Sequence, residues 1–142
     1  MYKRQTLTRE LGIYDAVRFL GKQEAVEEVL SVADLFLMPS EKESFGLAAL
    51  EAMACEVPVI SSNTGGIPEL NIHGVTGFLS NVGDVEDMTR NALYILDKDH
   101  LPIFKQHALK RAQQFDISNI LPLYENYYIR IIKNSLVAAG VR

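Results

Sequence analysis

A chain of 142 residues with 48% hydrophobic and 23% charged residues has the composition of one globular domain able to bury a core, which excludes a disordered chain. Its net charge of −4, with Lys and Arg scattered, excludes the basic footprint of a nucleic-acid-binding protein. The single cysteine, Cys55, excludes an internal disulfide framework, and no apolar run approaches the roughly 20 residues that span a bilayer. The opening residues lack the apolar core of a signal peptide, so a cytoplasmic protein without a transmembrane segment is expected.

Thr8-Arg9-Glu10-Leu11 reads as the end of a helix closed by Gly12. Val17-Arg18-Phe19-Leu20 reads as a short strand, ended by Gly21-Lys22. Across 23–33, Ala25, Val26, Val29, Leu30 and Ala33 recur at helical spacing between Glu24, Glu27 and Glu28, which predicts an amphipathic helix broken at Asp34. Leu35-Phe36-Leu37-Met38 is a continuous apolar run, the pattern of a strand covered on both faces, and Pro39 stops it. A helix is predicted over 44–55 with Ser44 as its N-cap. Val57-Pro58-Val59-Ile60-Ser61 reads as a strand, 62–66 as a turn, and Ile67-Pro68-Glu69-Leu70 as a short helical piece with Pro in its first turn. After a second turn at 71–74, Gly77-Phe78-Leu79 is the fourth strand. Asp84 caps a helix over 85–96 with Met88, Ala92, Leu93 and Leu96 on one face. Helices over 101–115 and 117–133 follow, the last with Ser118 as its cap and Ile120, Leu123, Tyr124, Tyr127, Tyr128, Ile131 and Ile132 along a packed face.

Strands alternating with helices predict an α/β fold, a Rossmann-like parallel sheet with helices on both faces. Right-handed crossovers gather the loops after the strands on one edge, where ligands of open α/β sheets bind. Three loops reach it: Gly21-Lys22, residues 39–43 and residues 62–66.

The second of these loops runs into a helix start. The first N–H groups of a helix have no partner within it, and the macrodipole adds positive charge there, so the start near Ser44 suits a phosphate. Gly46 is in that first turn, where a Cβ would hold a ligand off the backbone. Glu43 and Glu51 bracket the junction; each carboxylate can take both protons of a vicinal diol. A ligand with a diol at each end and phosphate between them fits. Equally, a glutamate beside a cap can complement the dipole and one within a helix can be merely solvated, so spacing alone leaves the choice open. A glycosidase pair needs carboxyls about 5–5.5 Å apart, which positions two helical turns apart match poorly.

The stretch Glu43-Ser44-Phe45-Gly46-Leu47-Ala48-Ala49-Leu50-Glu51 matches the E-x7-E motif of retaining glycosyltransferases of family four. Around it stand Pro39-Ser40, Glu51-Ala52-Met53-Ala54-Cys55, Val57-Pro58-Val59-Ile60, Gly65-Gly66-Ile67-Pro68-Glu69 and Thr76-Gly77, and the pattern covers about residues 17 to 130. The chain therefore resembles the C-terminal, donor-binding part of a two-domain GT-B enzyme, here one partial domain over 1–142. The resemblance implies that Glu43, the catalytic candidate, contacts donor-sugar hydroxyls. Ser44 and the backbone of Phe45, Gly46 and Leu47 would meet sugar and diphosphate, and Glu51 the ribose hydroxyls. Gly21 and Lys22 would meet the base, and Gly65 and Gly66 would lie beside the cleft. Within the family it is most similar to members that transfer N-acetylglucosamine from UDP-GlcNAc to L-malate in bacillithiol biosynthesis; a lipid or polysaccharide acceptor, and a non-catalytic nucleotide-sugar-binding fragment, stay open. The implied reaction needs no cofactor or metal, only the nucleotide sugar as substrate. The implied partners are that donor, an acceptor and an N-terminal domain; homo-oligomer formation is open. The acceptor domain and the family's diphosphate-gripping Arg and Lys are expected to precede this chain, so alone it is expected to bind uridine diphosphate weakly or not at all.

Glu56 stands where the family has glycine, which predicts a modest stability cost or a different helix end. Cys55 is expected to be packed, and His73, His100 and His107 to be surface residues.

Overall fold

The computed structural model describes residues 2–138. Along it run α1 (Tyr2–Glu10), a 3-10 turn (Tyr14–Ala16), α2 (Val26–Leu30), β1 (Phe36–Met38), α3 (Leu47–Ala54) and β2 (Val59–Ser62). They are followed by α4 (Ile67–Leu70), β3 (Gly77–Ser80), α5 (Val85–Ile95), α6 (Leu101–Gln113) and α7 (Ile117–Ala138). The sheet is parallel, in the order β1-β2-β3, with Phe36 opposite Val59 and Val59 opposite Gly77. Each strand thus ends on the same edge, and the predicted α/β architecture holds.

The sheet has three strands, not four. Val17-Arg18-Phe19-Leu20 forms none, and Leu20 is exposed. A β-rich sequence becomes a strand only through a ladder, and these residues have no pairing neighbour among the described residues. The second helix is also shorter than its periodicity suggests. Ala25 offers no side-chain cap, and Val26, Val29 and Val32 are exposed, so its predicted apolar face is only partly used.

Alternation along β2 sends Val59 and Ile60 to opposite faces. Val59 packs with Met38, Met53, Ile67, Leu70 and Ala108, from β1, α3, α4 and α6. Ile60 packs with Ile95 and Phe104, with Phe78, Met88 and Ala92 beside them. Both faces of the sheet are therefore covered, as a parallel sheet requires. Asn71, fully buried at the end of α4, ties the layers together. Its amide donates to the carbonyls of Val59 and Phe78 and to the Ser61 hydroxyl, and its oxygen accepts from the Thr76 hydroxyl at 2.8 Å. Buried polar groups are retained when so satisfied.

Helix ends follow from their local chemistry. Asp84 caps α5 as expected, accepting the Asp87 N–H at 2.9 Å. The cap of α7 is Asp116 and not Ser118: Asp116 Oδ1 accepts both the N–H and the hydroxyl of Ser118. A carboxylate before the first turn bonds donors that Ser118, already inside the helix, cannot reach itself. The tyrosine face of α7 is exposed rather than packed, with Tyr124, Tyr127 and Tyr128 at 59%, 51% and 61%. Helical periodicity identifies an apolar face without supplying what covers it. Cys55 is partly buried against the core. His73 is exposed and accepts the Leu79 N–H, and His100 stacks on Tyr94.

α3 ends in a Schellman arrangement. The Val57 N–H reaches the Ala52 carbonyl at 2.9 Å and the Glu56 N–H reaches Met53 at 3.1 Å. That geometry forces Glu56 to a left-handed φ of 62°, at the position where glycine was expected. A Cβ makes that conformation cost about 1 kcal/mol. Glu56→Gly is therefore expected to raise unfolding free energy by about 1 kcal/mol in urea denaturation. A second expectation concerns Asp116. The Ser118 hydroxyl, and then its N–H, hold this carboxyl below the ordinary carboxylate value. A lowered folded-state pKa stabilises above the unfolded value of about 3.9, and that contribution is lost as pH falls through the folded one. The Ser118 amide shift should thus titrate with a midpoint below the ordinary carboxylate value of about 3.9, and Asp116→Ala should abolish the movement.

Candidate functional site

The site is built where β1 and β2 end. From Met38 the chain passes through residues 39–46 into α3, whose first helical residue is Leu47, two residues later than a Ser44 cap predicts. Gly46 is the N-cap, at φ 93° and ψ 49°. This is a left-handed conformation that glycine adopts without strain. A Cβ there would lie 3.3 Å from Met38 Cε and 3.6 Å from Ile67 Cγ1. Gly46 is therefore explained by backbone conformation and tight packing before any ligand is considered. No side chain caps α3. The N–H groups of Leu47, Ala48 and Ala49 thus have no partner within the helix, and the positive end of its dipole is not neutralised.

Ser44 is not the cap because its backbone is already engaged. Its N–H donates to Glu43 Oε1 at 2.9 Å, and its carbonyl accepts the Gly66 N–H at 2.9 Å. The second contact joins the loop after β1 to the loop after β2. The Thr64 hydroxyl adds a bond to the Glu41 carbonyl at 3.3 Å. The approach is close enough that a Cβ on Gly65 would overlap the Glu43 carbonyl, and one on Gly66 the Ser44 carbonyl. Gly65 also has φ 56°. Both glycines are fixed by backbone meeting backbone.

The structure thus brings Glu43, Ser44, Phe45, Gly46, Leu47, Gly65 and Gly66 together. Glu43 is half-buried, with one carboxylate oxygen on the Ser44 N–H. Leu47 is 67% exposed at the helix start, whereas the Phe45 ring turns inward, edge-on to Phe115 at 5.5 Å. Glu51 is exposed one turn along α3 and lines a cleft of about 320 Å³ with Glu24, Val26, Glu27 and Leu30 of the α2 segment. Gly21 and Lys22 lie elsewhere, in a cleft of about 420 Å³ with Arg4, Arg18 and Phe19. No hydrogen bond or ion pair among the described residues joins them to the Glu43 loop. Among the described residues no strand precedes them.

Sequence reading missed two contributors. Thr64 ties the loops, and only its place before Gly65-Gly66 hinted at this. Ser62 is the last residue of β2 and not a turn residue; its hydroxyl is fully buried and has no hydrogen-bond partner among the described residues. Among the described residues no group of three or more His, Cys, Asp or Glu is arranged to hold a metal ion, and no helix is long and apolar enough to cross a membrane.

The family described as glycosyl transferases group 1 matches residues 2–114. N-acetyl-alpha-D-glucosaminyl L-malate synthase of Bacillus anthracis is 42% identical over 130 residues, covering 90% of this chain and 34% of that protein. D-inositol 3-phosphate glycosyltransferase of Mycolicibacterium smegmatis is 39% identical over 109 residues, covering 75% of this chain and 25% of that protein. Among solved structures, Anabaena HepE in complex with UDP superposes with a TM-score of 0.83 at 29% identity, covering 91% of this chain and 36% of that one. Sucrose-phosphate synthase of Thermosynechococcus elongatus gives 0.83 at 29%, covering 94% and 34%. The chain spans about a third of the length of the Bacillus anthracis protein and of these two structures.

Because Gly65 meets the Glu43 carbonyl, Gly65→Ala should displace the first loop as well as the second. Strain and overlap together are expected to cost about 2–3 kcal/mol. Amide shifts of Glu43 and Ser44 should move while those of α5 do not, which an amide NMR spectrum of the variant reads directly.

Proposed function

We propose a function from one premise: the chain belongs to the glycosyl transferases group 1 family. It is the donor-binding part, a partial C-terminal domain, of an enzyme that transfers a sugar from a nucleotide donor. The observation that carries this is the uncapped start of α3, flanked by Glu43 and roofed by the Gly65-Gly66 loop. Free N–H groups and the dipole suit a diphosphate. The carboxylates of Glu43 and Glu51, which would repel it, suit the hydroxyls on either side.

On this reading Glu43 takes hydroxyls of the donor sugar, and the backbone of Phe45, Gly46 and Leu47 meets sugar and diphosphate. Glu51 takes the ribose hydroxyls, and Gly21 and Lys22 the base. The helix start stabilises charge developing on the leaving diphosphate, a preorganised electrostatic effect. The bond from the anomeric carbon to the diphosphate breaks and the acceptor oxygen takes its place on the same face, its proton passing to the diphosphate. This is the retaining course of family four.

The finer assignment is N-acetylglucosamine from UDP-GlcNAc to L-malate, the chemistry of bacillithiol biosynthesis. Its support is the 42% identity over 90% of the chain to a protein named for an N-acetylglucosaminyl L-malate. A second reading, an inositol phosphate acceptor, is favoured by the 39% identity to the Mycolicibacterium smegmatis protein.

The test uses a full-length enzyme in which this chain replaces the matching segment of the Bacillus anthracis relative. The hybrid is expected to transfer N-acetylglucosamine to L-malate in preference to inositol phosphate. Glu43→Ala should leave it folded and lower kcat/KM by about 100-fold or more, the order found when one preorganised polar group is removed. Full activity in that variant contradicts the role given to Glu43.

A further inference from the structure

We propose that Arg111, on α6, is a positioning residue for the donor site, one that touches neither donor nor acceptor. The inference rests on the donor-site reading above and extends it to a side chain more than 60 residues from Glu43 in sequence.

Two separate contact routes lead from this guanidinium to the Glu43 loop. Along the first, Arg111 Nε donates to the Leu70 carbonyl at 3.1 Å, and Nη2 donates to the Glu69 carbonyl. These are the last two carbonyls of α4, which have no partner within so short a helix. Arg111 thus anchors the far end of the element whose near end is Gly66, and the Gly66 N–H holds the Ser44 carbonyl. Along the second, Arg111 Cζ stands 4.8 Å from the centre of the Phe115 ring, and Phe115 meets Phe45 edge-on at 5.5 Å. Phe45 lies two residues from Glu43, in the same loop. The two routes converge on the loop from the roof and from beneath.

Arginine suits this place for physical reasons. Its planar fork reaches two carbonyls at once while its face stacks on an aromatic ring. Lysine carries the same charge as a point and cannot do both. The charge also falls at the C-terminus of α4, where a cation is favoured. Nη1 meets Gln114, the C-cap of the same helix, which holds the fork in orientation. Four contacts of one half-buried side chain exceed what holding α6 against the core requires, since Phe104, Ala108 and Ala112 already do that.

The experiment has two readouts. The first is amide hydrogen exchange of this chain, with Arg111→Met and Arg111→Lys against the parent. Gly66 should exchange at least tenfold faster in both variants, while Ile60 and Ser61 of β2 change less than twofold. An unchanged Gly66, or equal acceleration throughout β2, overturns the proposal, the latter because it marks a general loss of stability. The second is transfer by the full-length hybrid. The parent hybrid's transfer tests the donor-site reading by itself. Arg111→Lys should then lower kcat about tenfold and leave the donor KM within twofold, because the nucleotide end of the site rests on α3. An unchanged kcat beside an active parent overturns the positioning role and leaves the donor-site reading standing. A rise in KM alone overturns it too, by showing a loss of ground-state binding only.

Discussion

Everything at the site depends on one backbone hydrogen bond, from the Gly66 N–H to the Ser44 carbonyl. It closes the loop after β1 against the loop after β2, and the Thr64 hydroxyl adds a second hydrogen bond between them. Such an approach requires two residues without Cβ in succession, which Gly65 and Gly66 supply. With the loops joined, Ser44 is committed and cannot cap α3. The cap passes to Gly46, whose backbone offers no side-chain acceptor, and the start of α3 is left with free N–H groups. The absence of a cap, a small cost to the helix, is thus what makes the place receptive to an anion.

The same bond explains how distant parts of the fold bear on the site. The parallel sheet delivers Met38 and Ser62 to one edge, which sets the spacing of the two loops. Asn71 holds β2, β3 and the end of α4 to one another, and Arg111 fixes α4 from α6. The rigid core beneath, with Met53, Ile67 and Leu70 fully buried, leaves α4 little room to shift. Glu43 is accordingly placed by its own loop, through the Ser44 N–H, and by the α4 segment that holds that loop.

Much of this was legible in the sequence because the signals were local. Apolar runs located all three strands, Asp84 before a periodic segment gave the start of α5, and Glu56 in place of glycine foretold a strained helix end. What escaped depends on contacts between segments far apart in the chain. Val17-Arg18-Phe19-Leu20 has strand composition and no ladder. Ser44 has the chemistry of a cap, but a glycine 22 residues later takes its carbonyl. The tyrosines of α7 follow a helical period without a covering surface. For the candidate site, the structure brings Glu43, Gly46, Gly65 and Gly66 together where β1 and β2 end, whereas the reason for Gly65 and Gly66 was not legible. Gly65 and Gly66 serve the meeting of two backbones, a property that no single stretch of sequence displays.

The central claim is that the joined loops and the free start of α3 form one anion-binding donor site. The direct measurement is amide shift mapping of this chain with millimolar uridine diphosphate, a concentration that registers even weak binding. Shifts concentrated at Leu47, Ala48, Gly65 and Gly66, with a smaller effect at Glu51, are the predicted result. Shifts at Leu47, Ala48, Gly65 and Gly66 no larger than those along α5 would contradict it.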